Sequence, residues 1–241
     1  FEQWGSRSAY NIPMVLRLSG ELNVAVLQQA LQEIIQRHES LRTAFAVSDD
    51  QPYQVICPQA TIALPVIDLS SHDPHTQSTE VERLIAAEAT KPFDLSCDLM
   101  LRATVLHLGT MQHGDTALQS TACHQHYILL LTLHHIAADG WSVGILGQEL
   151  NALYIAFSQG RPSPLPKLSI QYADFAGWQR NYLQGEVLAR QLAYWQQRLT
   201  DPPDLLQLPT DYQRPAKQSF CGNAVHVELG ADLTQQLRIL S

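Results

Sequence analysis

The residues best suited to chemistry are two adjacent histidines, His134 and His135, followed by Asp139 and Gly140. An imidazole changes charge near neutral pH, so it can move a proton to or from a reacting group. The pair closes an apolar run, Tyr127 to Leu133, and precedes a segment with helical periodicity. This places it at a strand-to-helix turn, where a scaffold often presents functional groups. Adjacent side chains of an extended segment point to opposite faces. One histidine can therefore face a cleft while the other anchors in the core, and spacing alone does not say which. Asp139 lies too far along an extended backbone to be assigned as the orienting partner of its neighbour. It can instead pair with an arginine and hold the turn closed. Gly140 permits a positive φ or a close backbone approach by a ligand. A His-His pair at a strand end is also a common structural feature with no reactive role.

Other chemistries find less support. His113, Cys123, His124 and His126 crowd one connection, but their spacing fits no common zinc pattern. Cys57, Cys97, Cys123 and Cys221 are widely and irregularly spaced and contain no C-x-x-C pair. They read as reduced thiols of a cytoplasmic protein. Neither a Walker loop nor a dinucleotide fingerprint is present, so no bound nucleotide is expected.

The elements that position the histidines follow from hydrophobic period and punctuation. Asn11 to Leu18 alternates apolar residues as a half-buried strand does. Asn23 can cap a helix reaching about His38, with Val24, Leu27, Leu31, Ile34 and Ile35 on one stripe. Short strands are expected at Tyr53–Ile56 and Ile62–Ile67. Thr79-x-x-Glu82 has the form of a capping box opening a helix to about Ala89, which Pro92 ends. Two long strands, Leu101–Leu108 and Tyr127–His134, flank a polar connection from Gly109 to His126. A helix then runs from near Ser142 to about Ser158, with Val143, Leu146, Leu150, Leu153 and Phe157 as its buried stripe. The proline-rich segment Arg161 to Lys167 reads as an extended linker. Helices over about 170–183 and 186–199, a strand at Asn223–Leu229 and a last helix from Asp232 complete the chain. This mixture predicts an α/β sandwich with a first lobe over 1–160 and a second part over 161–241.

The formal charge of −8 is uneven. Residues 1–160 hold 7 Lys+Arg against 16 Asp+Glu, a balance of −9 that argues against nucleic acid as a partner. No apolar run approaches the length needed to span a membrane. A first residue other than Met, with no basic or cleavable leader, is expected to reflect missing upstream sequence rather than secretion.

Several segments together resemble the condensation domains of nonribosomal peptide synthetases. Arg37-His-Glu-Ser-Leu-Arg-Thr-Ala-Phe45 is similar to the family's R-H-E-x-L-R-T-x-F segment. Leu133-His-His-Ile-Ala-Ala-Asp-Gly-Trp-Ser142 resembles its H-H-x-x-x-D-G-W-S segment, and Tyr172-Ala-Asp-Phe-Ala-Gly-Trp178 its Y-x-D-[YF]-A-x-W segment. Lesser matches are Ser8–Pro13, Pro92–Leu95, Tyr194-Trp195 and Leu208–Asp211. They occur in the family's order along the whole chain.

The resemblance implies a chloramphenicol acetyltransferase-like fold of two α/β lobes with the active site between them, here with the second lobe cut short. It implies that His135 is catalytic and that His134 supports the strand. It also implies that Asp139 pairs with Arg37 or Arg42, that Gly140 lines the tunnel and that Trp178 packs. Donor and acceptor peptidyl carrier proteins would deliver thioesters on phosphopantetheine arms beside an adenylation domain, with no cofactor held by the chain and no metal. The reaction implied is amide formation, of which the 241-residue chain alone is expected to be incapable. The paired histidines disfavour a heterocyclizing domain, and Asp139 to Leu146 looks like the condensing rather than the epimerizing kind, more like the subtype with an L-configured donor than a D-configured one. A non-catalytic docking module and an acyl-CoA-dependent acyltransferase are the alternatives.

Overall fold

The structure, a computed structural model, describes residues 8–110, 124–201, 209–213, 216, 225 and 227–240. Contacts divide the chain into two units, Phe1–Asp201 and Pro202–Ser241.

The first unit is built on a four-stranded sheet in the order β1-β6-β5-β4: β1 is Asn11–Ser19, β4 Val66–Asp68, β5 Leu101–Thr110 and β6 Gln125–His134. β6 lies antiparallel to both β1 and β5, and β4 runs parallel to β5. The apolar run of β6 is explained by cover on both faces. Leu129, Leu131 and Leu133 meet helices α1 (Val24–Arg37) and α3 (Gly140–Ser158), whereas Ile128 and Leu130 meet α2 (Pro74–Thr90). A strand covered twice has no polar face to show. α1 turns Leu27, Ala30, Leu31, Ile34 and Ile35 inward, and Asn23 caps it by accepting from the Val26 amide at 3.1 Å. Each fully buried Leu or Ile stabilises the fold by about 1.5–3 kcal/mol.

Several expectations need correction. α2 starts at Pro74 with Asp73 as its cap, not at Thr79. Proline suits the first helical position, where its missing N–H has no partner to lose. The Thr79 hydroxyl instead donates to the His75 carbonyl inside the helix. Of the expected 62–67 strand only Val66 and Ile67 are paired, in a short strand that runs on to Asp68. Upstream of it, Gln28 and Gln32 of α1 bond the backbone of Ile62, and Gln32 and Gln36 bond the Ala60 carbonyl. Side-chain amides there replace a strand neighbour. Thr43–Ser48 forms a strand, β2, that the sequence reading did not anticipate; it pairs with β3, Gln51–Ile56. Gly109 is obligatory at the irregular end of β5. Its φ is +79°, and an added Cβ would come within 2.9 Å of the Ser70 Cβ.

Beyond the linker, α4 (Tyr172–Tyr182) and α5 (Gly185–Arg198) follow as expected. In the second unit, α6 spans Ala231–Leu240, and Val227–Leu229 form no strand. The remaining residues expected in that strand, except Val225, lie outside those described, as do His113 and Cys123. Among the described residues no helix is long and apolar enough to cross a membrane.

Candidate active site at the end of β6

Strand β6 ends by splitting its two histidines. His134 is 3% exposed, inside the fold, and His135 is exposed. Backbone bonds fix both: the His134 amide donates to Met100 at 3.1 Å and the His135 amide to Tyr10 at 2.8 Å. Nδ1 of His134 accepts from the Ile136 amide at 3.1 Å, and its carbonyl accepts from Ala137 at 3.0 Å. The buried ring therefore shapes the turn that presents its neighbour. Burial first, then the charges of His135 and Arg102, hold His134 below the usual histidine range. His134 is thus neutral at neutral pH, as its acceptor role requires.

His135 faces an open pocket of about 290 Å³ with Ser40, Ala137, Ala138, Asp139, Ser142 and Tyr172 on its walls. A smaller, mainly apolar pocket of about 120 Å³ adjoins it, sharing Ser40, Ala137, Ala138 and Ser142 and reaching His38, Ile145 and Leu146. The short side chains Ala137 and Ala138 keep both spaces open.

Asp139 does not pair with Arg37 or Arg42. It caps α3, its Oδ1 accepting from the Ser142 amide at 2.9 Å and the Ser142 hydroxyl at 2.8 Å. The Ser142 oxygen in turn accepts from the Asp139 amide at 3.2 Å, completing a reciprocal cap. Bonds from the Ser142 backbone and then its side chain hold the Asp139 carboxyl below the ordinary range. Gly140-Trp-Ser-Val-Gly144 also spells the G-x-S-x-G of a nucleophile elbow, but the Ser142 hydroxyl is occupied by this cap rather than held by a histidine. Gly140 opens the helix with no positive φ, and nothing lies within 4 Å of where a Cβ would be.

The two arginines serve elsewhere. Arg37 Nε donates to Glu149 Oε1 at 2.9 Å, and His38 Nε2 meets Glu149 Oε2 at 2.7 Å. Arg37 also reaches the Pro166 carbonyl. Arg42 donates to the Cys57 carbonyl at 2.7 Å and lies 3.5 Å from Glu39. Glu149 was not foreseen, although it is the one charged residue between Gly140 and Ser158. A lone carboxylate on an otherwise uncharged helix was the legible signal, because such a group is buried only with a partner. Trp178 is 57% exposed and packs along its own helix, stacked on Tyr182 at 5.2 Å and tilted against Phe175 at 5.6 Å. Among the described residues no group of His, Cys, Asp and Glu could hold a metal ion.

A family model, the condensation domain, matches residues 2–241. The chain belongs to the condensation-domain family of nonribosomal peptide synthetases. A linear gramicidin synthase of Brevibacillus parabrevis is 46% identical over 241 residues, covering all of this chain and 4% of that protein. The dimodular nonribosomal peptide synthase of Bacillus subtilis (strain 168) is 36% identical over 242 residues, covering 98% of this chain and 9% of that one. Among solved structures, the X-domain from teicoplanin biosynthesis superposes with a TM-score of 0.69 at 28% identity, covering 86% of this chain and 42% of its own. The starter condensation domain of rhizomide synthetase, at 21% identity and a TM-score of 0.67, shares the fold. This condensation-domain chain thus has the expected α/β class and spans less than half of either structural neighbour.

Proposed function

We propose that this chain carries the reacting histidine of an amide-forming condensation domain. In that reading an acceptor amine attacks a donor thioester, both held on phosphopantetheine arms of peptidyl carrier proteins, beside an adenylation domain. The observation that carries it is the division of labour between the histidines: His134 is buried and tied to the turn, while His135 stands exposed in the pocket.

The chemistry asks little of the protein, because a thioester is already activated. The amine nitrogen adds to the carbonyl carbon, the C–N bond forms, and the C–S bond breaks with its electron pair leaving on sulfur. The nitrogen loses one proton and the departing thiolate gains one. An α-amine has a pKa of about 7.7–8.0, so it must reach the carbonyl unprotonated. Among the described residues no hydrogen bond engages the His135 imidazole, leaving both ring nitrogens available to the amine and the developing charge. Positioning two tethered reactants supplies much of the remaining acceleration.

The test replaces His135 by Ala in a complete domain supplied with loaded donor and acceptor carriers. Dipeptidyl-thioester formation, followed by mass spectrometry, is expected to fall by about 10²–10⁴-fold. Full turnover by that variant would overturn the assignment of His135 as the reacting histidine.

A further inference from the structure

The turn that presents His135 is braced from behind by a stack that reaches β5. Arg102 Nε donates to Glu88 Oε1 at 2.8 Å, and its other nitrogens donate to the carbonyls of Lys91 at 2.8 Å, Pro92 at 3.1 Å and Glu88 at 3.4 Å. Asn11 adds donations to Ala89 and Lys91, both at 2.8 Å. The C-terminal carbonyls of α2, which a helix leaves unpaired, are thereby gathered by two side chains. This fixes Phe93, just beyond the helix. The Arg102 guanidinium lies 3.8 Å from the centroid of the Phe93 ring, whose other neighbour is His134, edge-on at 5.5 Å. Phe93 is 4% exposed. The buried ring thus touches both a fixed cation and the imidazole.

Protonation of His134 matters because of one bond. Its Nδ1 accepts from the Ile136 amide, one residue beyond His135. A proton on Nδ1 would set two donors against each other and release that amide. We propose that Arg102 is a positioning residue for His135, acting through Phe93 to keep His134 unprotonated and the His135 turn in place. The charged or titratable groups facing the His134 ring are Arg102 from β5, Tyr10 from the segment before β1, and His135 on the same turn; Glu88 of α2 stands behind Arg102 as its counter-ion. Arg102 and His135 oppose protonation, as does the ring's own burial. The inference rests on the catalytic reading of His135 only for its effect on turnover.

Two readouts test it. In the 241-residue chain, imidazole titration by NMR of ring-labelled histidine should show His134 protonating below the ordinary histidine range. Arg102→Met should move its titration to higher pH. In a complete domain the acid limb of turnover should move the same way, with activity at neutral pH reduced by roughly ten- to a hundredfold. Arg102→Lys keeps the charge but not the fork, so it should restore the titration more fully than the turnover. Phe93→Leu, which leaves the Arg102–Glu88 pair intact, serves if the arginine variant does not fold, and it too should raise the His134 midpoint. A lower melting temperature with the His134 midpoint and acid limb both unmoved would reduce Arg102 to a structural brace and overturn the proposal. If His135→Ala retained turnover, the catalytic reading would fail while the titration result stood by itself.

Discussion

Asp139 and Glu149 sit ten positions apart on one helix and take opposite roles. The carboxylate of the motif, Asp139, remains at the surface and caps the first turn of α3. The carboxylate outside it, Glu149, is 9% exposed and receives both Arg37 and His38. The clamp joins the C-terminal end of α1 to the middle of α3, so it fixes the helix whose start walls the His135 pocket. Glu149→Ala leaves the mostly buried Arg37 charge without its carboxylate and is expected to cost about 3–5 kcal/mol in urea unfolding. Converting Arg37 and Glu149 together to Met should cost less than Glu149→Ala alone, because no unpaired charge is left behind. Equal losses would mean that an Arg37 charge left without its carboxylate carries no penalty of its own.

The neighbouring element, the β2–β3 hairpin, turns through a two-residue loop, Asp49-Asp50, between the paired residues Ser48 and Gln51. Both aspartates have positive φ, 51° and 59°. A tight turn of this kind matches the twist of the strands but favours Asn-Gly or Asp-Gly. Asp50→Gly should therefore stabilise the hairpin, by roughly 1 kcal/mol, since glycine meets no Cβ penalty there. A melting temperature unchanged or lowered by that substitution would show that the turn is not strained. The hairpin walls a space of about 230 Å³ with Phe45, Gln54 and Ile56, facing Ile136 and Tyr172. Its register thus bears on the ground beside the His135 turn. Segment 60–65 shows a different solution, in which glutamines spaced four apart on α1 satisfy an unpaired backbone.

Over the whole molecule, the sheet and its helices bring residues from distant parts of the chain to one edge of the first unit. Ser40, His135, Asp139 and Tyr172 line a single pocket. The unit also shows solvent an aromatic ladder along α4, Tyr172, Phe175, Trp178 and Tyr182, each at least 39% exposed. An apolar face of this kind favours association. The isolated chain is expected to self-associate in concentration-dependent sedimentation, and Trp178→Gln to weaken that association. It is also expected to form no dipeptidyl thioester, because among the described residues His135 is exposed in an open pocket, where water competes for its polar groups. Turnover by the isolated chain comparable to that of a chain extended through a second lobe, and dependent on His135, would overturn that expectation.

Local rules in the sequence determined the helices at 24–37 and 140–158, the two long strands, and the placement of a histidine pair where one strand ends. Periodicity and caps act over a few residues, so they can be read without knowing what packs where. The division between His134 and His135 needed more. Alternation required the two to part, but only the cover that Phe93 and Arg102 place over one side decided which ring was buried. The partners of Asp139, Arg37 and Arg42 were equally beyond local reading. A charged side chain pairs with whatever the fold brings within about 4 Å, and sequence spacing does not contain that distance. Asp139 found its partners three residues away in its own helix, whereas Arg37 found Glu149 across 112 positions of chain. The motif named the residues at the site, and tertiary packing assigned their bonds.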